Sequence, residues 1–116
     1  MSRSLELLVE DILDCIKKIE KYTEGLSFKN FLKDDKTIDA VVRNFEIIGE
    51  ASSRIPEEVK KDYPNINWIR IKGFRNVIIH EYFGVDYEIL WNIKQEYIPT
   101  LKNSIQEIDL DAYPEF

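Results

Sequence analysis

The side chains best suited to chemistry lie close together near residue 80. His80 is the only histidine of the chain, and Arg75 and Asn76 precede it. A histidine can accept or donate a proton near neutral pH, and an arginine can hold a phosphate with two parallel hydrogen bonds. Asn76 could orient the ring or a phosphate oxygen. This set suits RNA cleavage by attack of the neighbouring 2′-hydroxyl on the phosphate, which needs proton transfer and charge stabilisation but no metal.

The spacing of these residues leaves two interpretations open. On a helix Asn76 and His80 share a face, whereas Arg75 and His80 diverge by about 140°, so Arg75 would depend on its length to reach the same phosphate. His80 could instead be a partly exposed histidine at a helix C-terminus, favoured by the helix dipole. No second histidine, cysteine pair or tight acidic set accompanies it, so the sequence predicts no metal site and no cofactor.

The charge distribution singles out the same region. Residues 63–80 contain no Asp or Glu but include Arg70, Lys72 and Arg75, so this stretch carries +3 in a chain of net charge −6. An acidic protein is a poor candidate for coating nucleic acid nonspecifically, because phosphate binding depends mainly on Lys and Arg. The stretch is either an anion site or a chance cluster of solvated charges. Trp68 and Phe74 are better explained as core residues than as a platform for stacking bases.

Apolar residues at helical spacing predict the elements that must position this segment. Long helices are expected over 4–23, ending before Gly25, and from the Asp34 region to residue 54. Short helices are expected after Ser27 and over 57–62. A further helix should run from an Asn67 cap to residue 80 or 81, and the last one should begin at Asp86 and kink at Pro99. The predicted fold class is all-α, an antiparallel four-helix bundle with short additional helices, in a single domain over residues 1–116.

The compartment is also constrained by composition. Cys15 is the only cysteine and lies on the apolar stripe of the first helix, so we expect a buried structural thiol and no internal disulfide. The start of the chain lacks the apolar stretch of a signal peptide, and no run is long enough to span a membrane. The prediction is a cytoplasmic protein.

Several segments together resemble a known family. The run from Arg75 to Tyr82 matches the R-x4-H-x-Y motif of the HepT toxins, a branch of the HEPN superfamily (higher eukaryotes and prokaryotes nucleotide-binding). The resemblance extends over residues 43–51, Trp68, Gly73-Phe74 and residues 83–86, and thus spans most of the chain.

The resemblance implies roles for four residues. Arg75 and His80 match the catalytic pair of a metal-independent endoribonuclease toxin acting on tRNA or mRNA, and Asn76 matches the supporting polar residue. Tyr82 matches the tyrosine to which an antitoxin of the minimal nucleotidyltransferase (MntA) type transfers AMP. Such a modification would place phosphate and a nucleotide beside the anion site and silence it. Arg43, Glu46 and Glu50 could line the same cleft, or simply form a solvated helix face.

The resemblance also implies a homodimer with the site at its interface. One physical argument agrees, because acid and base roles are most simply filled by two groups and each chain offers one histidine. Two-fold packing of the Arg75 to His80 segments would supply two histidines and two arginines. Two other hypotheses remain: a non-catalytic subunit that binds nucleotide or substrate for a nucleotidyltransferase, and a structural dimer in which the motif only packs.

Overall fold

The computed structural model describes residues 3–75 and 86–116 of the chain. Over these ranges every regular element is a helix and no strand occurs, so the predicted all-α fold class is confirmed. Asn76, His80 and Tyr82 lie outside the described residues. Within the described part, no helix is both long and apolar enough to cross a membrane.

Two long antiparallel helices form the centre of the molecule. Helix α1 spans Leu5–Thr23 and α3 spans Asp35–Ser53. The first turn of each is capped by a side-chain oxygen, Ser4 accepting from the Leu7 N–H and Asp34 from the Thr37 N–H. The start of α1 and the end of α3 line one shallow depression, which is the antiparallel arrangement predicted. Their apolar stripes, including Ile12, Ile16, Phe45 and Ile48, are fully buried between them.

Short helices occupy the connections, as the sequence predicted. Gly25 takes a positive φ of 74° after α1, a conformation that glycine adopts without strain. Helix α2, Phe28–Leu32, follows with Ser27 as its cap, and α4, Glu57–Asp62, follows Pro56. After these connections the chain reverses, and helix α5, Trp68–Lys72, lies against α3.

The C-terminal helix differs from expectation in its irregular turn. Asp86 caps α6, Tyr87–Asn92, as predicted, but a π-helical turn over Ile93–Tyr97 precedes α7, Ile98–Gln106. The expected feature was a kink at Pro99. Because Pro99 lacks an N–H and crowds the turn before it, the chain widens ahead of it, and the Ile98 N–H donates to the Ile93 carbonyl. Ile98, the first residue after the π turn, is completely buried.

The C-terminal helix runs antiparallel to α1 and closes the core. Lys102 pairs with Glu20 at 3.0 Å, and the N–H of Leu5 donates to the carbonyl of Phe116 at the opposite end. A tail after α7 is tied to the end of α4, where the Tyr113 hydroxyl donates to Asp62 at 2.6 Å. The C-terminal helix thereby packs against α1, while the segment after α4 lies against α3.

Candidate functional site

The segment that leads into the predicted motif begins as a short helix. Helix α5 spans Trp68–Lys72, and Asn67 caps it by accepting from the Arg70 N–H at 3.1 Å, as predicted. The helix predicted from residue 68 to residue 80 or 81 is interrupted within the described residues at Gly73, although Gly73 keeps helical angles (φ −62°, ψ −17°) and its N–H donates to the Ile69 carbonyl. The chain turns at Gly73, whose low helix propensity favours a break, and is helical again at Phe74 and Arg75.

Phe74 anchors this segment in the core. It is 2% exposed and makes edge contacts with Phe45 on α3 and Tyr97 in the π turn, with ring centroids 5.0 and 6.3 Å away. The guanidinium of Arg70 stacks over the Tyr97 ring, 4.0 Å from its centroid. Burial raises the pKa of Tyr97, although the nearby Arg70 charge opposes the rise. The π turn therefore helps to fix the residue that precedes Arg75.

Gly49 brings Arg75 close to α3. A Cβ atom placed on Gly49 would lie 2.7 Å from the Cγ of Arg75, 3.2 Å from its backbone nitrogen and 3.2 Å from the carbonyl oxygen of Ile71. Only a glycine permits this approach without displacement. The Arg75 side chain itself is exposed, so its guanidinium is available to an anion in solution. Sequence inspection missed this role of Gly49, and the available signal was a glycine inside a strong helical pattern.

Replacing Gly49 with alanine should separate activity from stability. Alanine favours the helix by about 1 kcal/mol, which offsets the crowding, so the thermal midpoint should change little. Arg75 must shift by several tenths of an ångström, and we expect RNA cleavage to fall roughly tenfold, since small misplacements of a catalytic group are costly. Cleavage rate and thermal unfolding, measured on the same preparation, test this split.

Gly25→Ala is the matched control. An alanine Cβ at Gly25 would meet nothing within 4 Å, but the positive φ of 74° strains any residue with a side chain. This variant should lose about 1 kcal/mol of stability while cleavage by the folded protein is retained. If the two variants lose activity equally, the contact between Gly49 and Arg75 does not position the site.

The basic character of the segment survives folding. Arg70, Lys72 and Arg75 are all exposed. Trp68 is half-buried, and its indole N–H donates to the Tyr63 carbonyl at 3.1 Å, so it packs at the edge of the core. Of the predicted site residues the structure describes Arg75 alone, and the predicted grouping with Asn76, His80 and Tyr82 stays a prediction.

The other candidate groups have structural explanations. Cys15 is buried, and burial raises the pKa of its thiol to about 11, which makes it an inert core residue as expected. Arg43 pairs with Glu46 at 3.4 Å, and Glu50 pairs with Arg54 at 3.0 Å, all on the exposed side of α3. These contacts favour a solvated helix face over a catalytic lining. Over residues 3–75 and 86–116, no group of three or more His, Cys, Asp or Glu side chains is placed to hold a metal ion.

These features define an all-α protein of HEPN-like architecture with an exposed, firmly anchored arginine at the start of its motif segment. A family model described as Ribonuclease HepT-like matches residues 12–108. The chain belongs to this family, which confirms the resemblance found in the sequence. No solved structure matches the chain.

Named relatives cover nearly the whole chain. A protein named "Probable ribonuclease HepT" from Thermococcus cleftensis is 44% identical over 108 residues, covering 93% of this chain and 98% of the relative. "Putative RNase MJ0127" of Methanocaldococcus jannaschii is 38% identical over 109 residues, covering 94% of this chain and 90% of the relative. "Putative RNase TTE0752" of Caldanaerobacter subterraneus is 39% identical over 100 residues, covering 86% of this chain and 89% of the relative.

Proposed function

We propose that this protein is a metal-independent endoribonuclease that acts on cellular RNA, tRNA or mRNA, as the toxin of a toxin-antitoxin pair. The observation that carries the proposal is the exposed Arg75, held by Phe74 and Gly49 at the entry to the segment with the only histidine. The names of its relatives as ribonucleases support the same activity.

The chemistry needs only groups that the motif supplies. A base removes the proton of the RNA 2′-hydroxyl, whose oxygen attacks the adjacent phosphorus, and the bond from phosphorus to the 5′-oxygen breaks. An acid returns a proton to that 5′-oxygen, leaving a cyclic 2′,3′-phosphate. His80 serves proton transfer, and Arg75 stabilises the charge that develops on the phosphate oxygens. Asn76 supports the phosphate or the ring, and a second copy of the chain supplies the second histidine.

Cleavage in the presence of a chelator tests this proposal. The purified protein should cut single-stranded RNA at the same rate with and without excess EDTA, and the new ends should carry a cyclic phosphate. Expression in cells should arrest growth. An absence of cleavage under both conditions, together with normal growth, would contradict the proposal and favour a non-catalytic nucleotide-binding subunit.

AMP transfer to Tyr82 by a nucleotidyltransferase antitoxin would switch this activity off. Tyr82 lies two positions after His80, so an attached AMP adds negative charge where the RNA phosphate must bind. A modified tyrosine hydroxyl also cannot ionise or donate a hydrogen bond. The proposal therefore joins the catalytic pair and its inhibition in one segment of eight residues, Arg75 to Tyr82.

Incubation with such an antitoxin and ATP should add AMP to Tyr82 and abolish cleavage. Intact mass spectrometry measures the addition, and peptide mapping locates it. Tyr82→Phe should cleave RNA as the parent does but become insensitive to the antitoxin. Tyr87→Phe, which changes an exposed tyrosine nearby in the sequence, is the control and should still be silenced. Modification confined to another tyrosine would contradict the assignment of Tyr82.

A further inference from the structure

A second feature lies beside the segment that carries Arg75. Residues of helices α4 and α5 line an open surface groove of about 390 Å³. Six residues line it: Glu57, Lys60, Lys61, Trp68, Ile69 and Lys72. The groove is outside the predicted catalytic set, but Lys72 precedes Arg75 by three residues, so their Cα atoms are at most about 11 Å apart. Whatever occupies the groove therefore lies near the candidate site.

The charge of the groove is opposite to that of the protein. Three of its six lining residues are lysines and one is a glutamate, within a chain of net charge −6. Lys60 is partly covered, its ammonium group 3.8 Å from Glu57 and 5.8 Å from the Trp68 ring centroid. Lys61 and Lys72 are exposed, and no ion pair joins either to another described residue. Two positive charges thus face solvent on one surface.

The acidic residue next to these lysines is directed elsewhere. Asp62 follows Lys61 on α4, but its carboxylate accepts the Tyr113 hydroxyl at 2.6 Å in the C-terminal tail. This contact holds that negative charge toward the tail. With Lys60 paired to Glu57, Lys61 and Lys72 are the groove's lysines left to attract an anion from solution.

Two lining residues of the groove, Trp68 and Ile69, are apolar, and one of them is aromatic. Ile69 is 86% exposed, the highest exposure among the exposed large apolar residues of the described chain. Trp68 lies beside it and is fixed by the hydrogen bond from its indole N–H to the Tyr63 carbonyl. Lysines that bind phosphates, next to an aromatic ring and an exposed apolar side chain, are the combination that holds single-stranded nucleic acid, whose unpaired bases present flat apolar faces.

We propose that this groove binds a single-stranded stretch of RNA next to the scissile phosphate, with Lys61 and Lys72 contacting phosphates and Trp68 and Ile69 contacting a base. The inference rests on the proposed function, because it names where the substrate continues beyond Arg75. A duplex fits the groove poorly, since its base faces are already stacked. A second copy of this chain is disfavoured by the repulsion between two lysine-rich surfaces.

Binding of a non-cleavable RNA tests the groove without requiring catalysis. The probe is a short, mixed-sequence, single-stranded 2′-O-methyl oligonucleotide with a fluorescent label, since its blocked 2′ oxygen cannot attack phosphorus. Lys61→Gln/Lys72→Gln should bind it roughly tenfold more weakly than the parent at low salt. Each phosphate contact on a single strand contributes about 0.7 to the slope of log affinity against log salt, so the double variant should lose about 1.4 of slope.

The control has the same change of charge at another place. Lys17 on α1 and Lys36 at the start of α3 are exposed and do not line the groove. Lys17→Gln/Lys36→Gln should bind the probe with nearly the affinity and salt slope of the parent. If both double variants weaken binding equally, only the net charge matters and the inference is overturned.

Trp68 supplies a second, local readout. Trp91 is 8% exposed beneath Phe28 and Phe31, so a change of tryptophan emission on adding unlabelled probe should come from Trp68. The parent should show this change, and Trp68→Phe should lose it and bind more weakly. An unchanged emission in the parent at saturating probe would contradict the contact between a base and Trp68.

The outcomes separate this inference from the proposed function. A parent that binds the probe through Lys61 and Lys72 but never cuts unmodified RNA contradicts the function and supports the groove. A parent that cuts RNA, and whose Lys61→Gln/Lys72→Gln variant binds the probe unchanged, supports the function and overturns the groove. A third outcome would also overturn the groove. If the parent sediments as a dimer and Ile69→Ser as a monomer, the groove is an interface between copies and the RNA inference is wrong.

Discussion

Arg75→Ala is expected to lower RNA cleavage by roughly two to three orders of magnitude, because it removes a preorganised group that stabilises charge on the phosphate. The fold should survive, since the Arg75 side chain is exposed and the anchor of the segment is the neighbouring Phe74. Initial cleavage rates under saturating RNA, with circular dichroism as a check of folding, measure the effect. Growth arrest on expression should be lost in parallel.

Arg75→Lys and Arg54→Ala make this prediction sharper. Lysine keeps the charge but not the planar fork that holds a phosphate with two hydrogen bonds, so Arg75→Lys should recover only part of the activity. Arg54 also lies exposed beside α3, but it donates to Glu50 at 3.0 Å and is remote from the motif in sequence. Arg54→Ala should cleave normally. Parental activity in Arg75→Ala would remove this residue from the catalytic set.

Local sequence signals predicted most of the described fold because they act over one turn of helix. Ser4, Ser27, Asp34, Asn67 and Asp86 were each identified as caps or helix starts, and each accepts a backbone N–H in the structure. A cap needs only its own side chain and the next three residues. The periodicity of Leu, Ile and Val likewise identified the buried stripes of α1 and α3.

Two local irregularities were not predictable from the same signals. Gly73 and Pro99 mark the places of these two irregularities, through low helix propensity and a missing N–H, but not the form that each irregularity takes. Periodicity treats a helix as uniform, so it cannot tell a kink at a proline from an extra residue inserted before it. Ile98, directly after the π turn, is completely buried.

The candidate site was predicted only as far as residue types allow. The sequence predicts that Arg75 binds phosphate, which stays a prediction, and the structure adds that its side chain is exposed and that it lies against Gly49. Gly49 and Tyr97, which position it, were not assigned those roles because contacts between distant parts of a chain leave no local pattern. The groove that Lys61 and Lys72 line is formed by two helices, α4 and α5. The acid-free stretch found in the sequence, residues 63–80, includes Lys72 but not Lys61.

His80→Ala is expected to reduce cleavage by roughly two to four orders of magnitude. It removes the only histidine of the chain, and histidine is the side-chain type whose ordinary pKa lies near neutral pH. His80→Gln keeps a hydrogen-bonding side chain of similar length but cannot carry the proton, so it should be equally inactive. Retained antitoxin-dependent function in His80→Gln, with loss in Arg75→Ala, would instead support a binding subunit that catalyses nothing.

The single histidine also makes a quantitative prediction about mixed dimers. If acid and base come from the two copies, a dimer of one parental chain and one His80→Ala chain has a single histidine and should be inactive. Equal mixing of the two chains, with free exchange of subunits, leaves about a quarter of the dimers fully parental, so activity per total dimer should fall to about one quarter. Mixing with Arg54→Ala chains, the control, should leave activity unchanged. Activity that instead falls to one half would mean that each chain cleaves with its own histidine, and the shared site would be wrong.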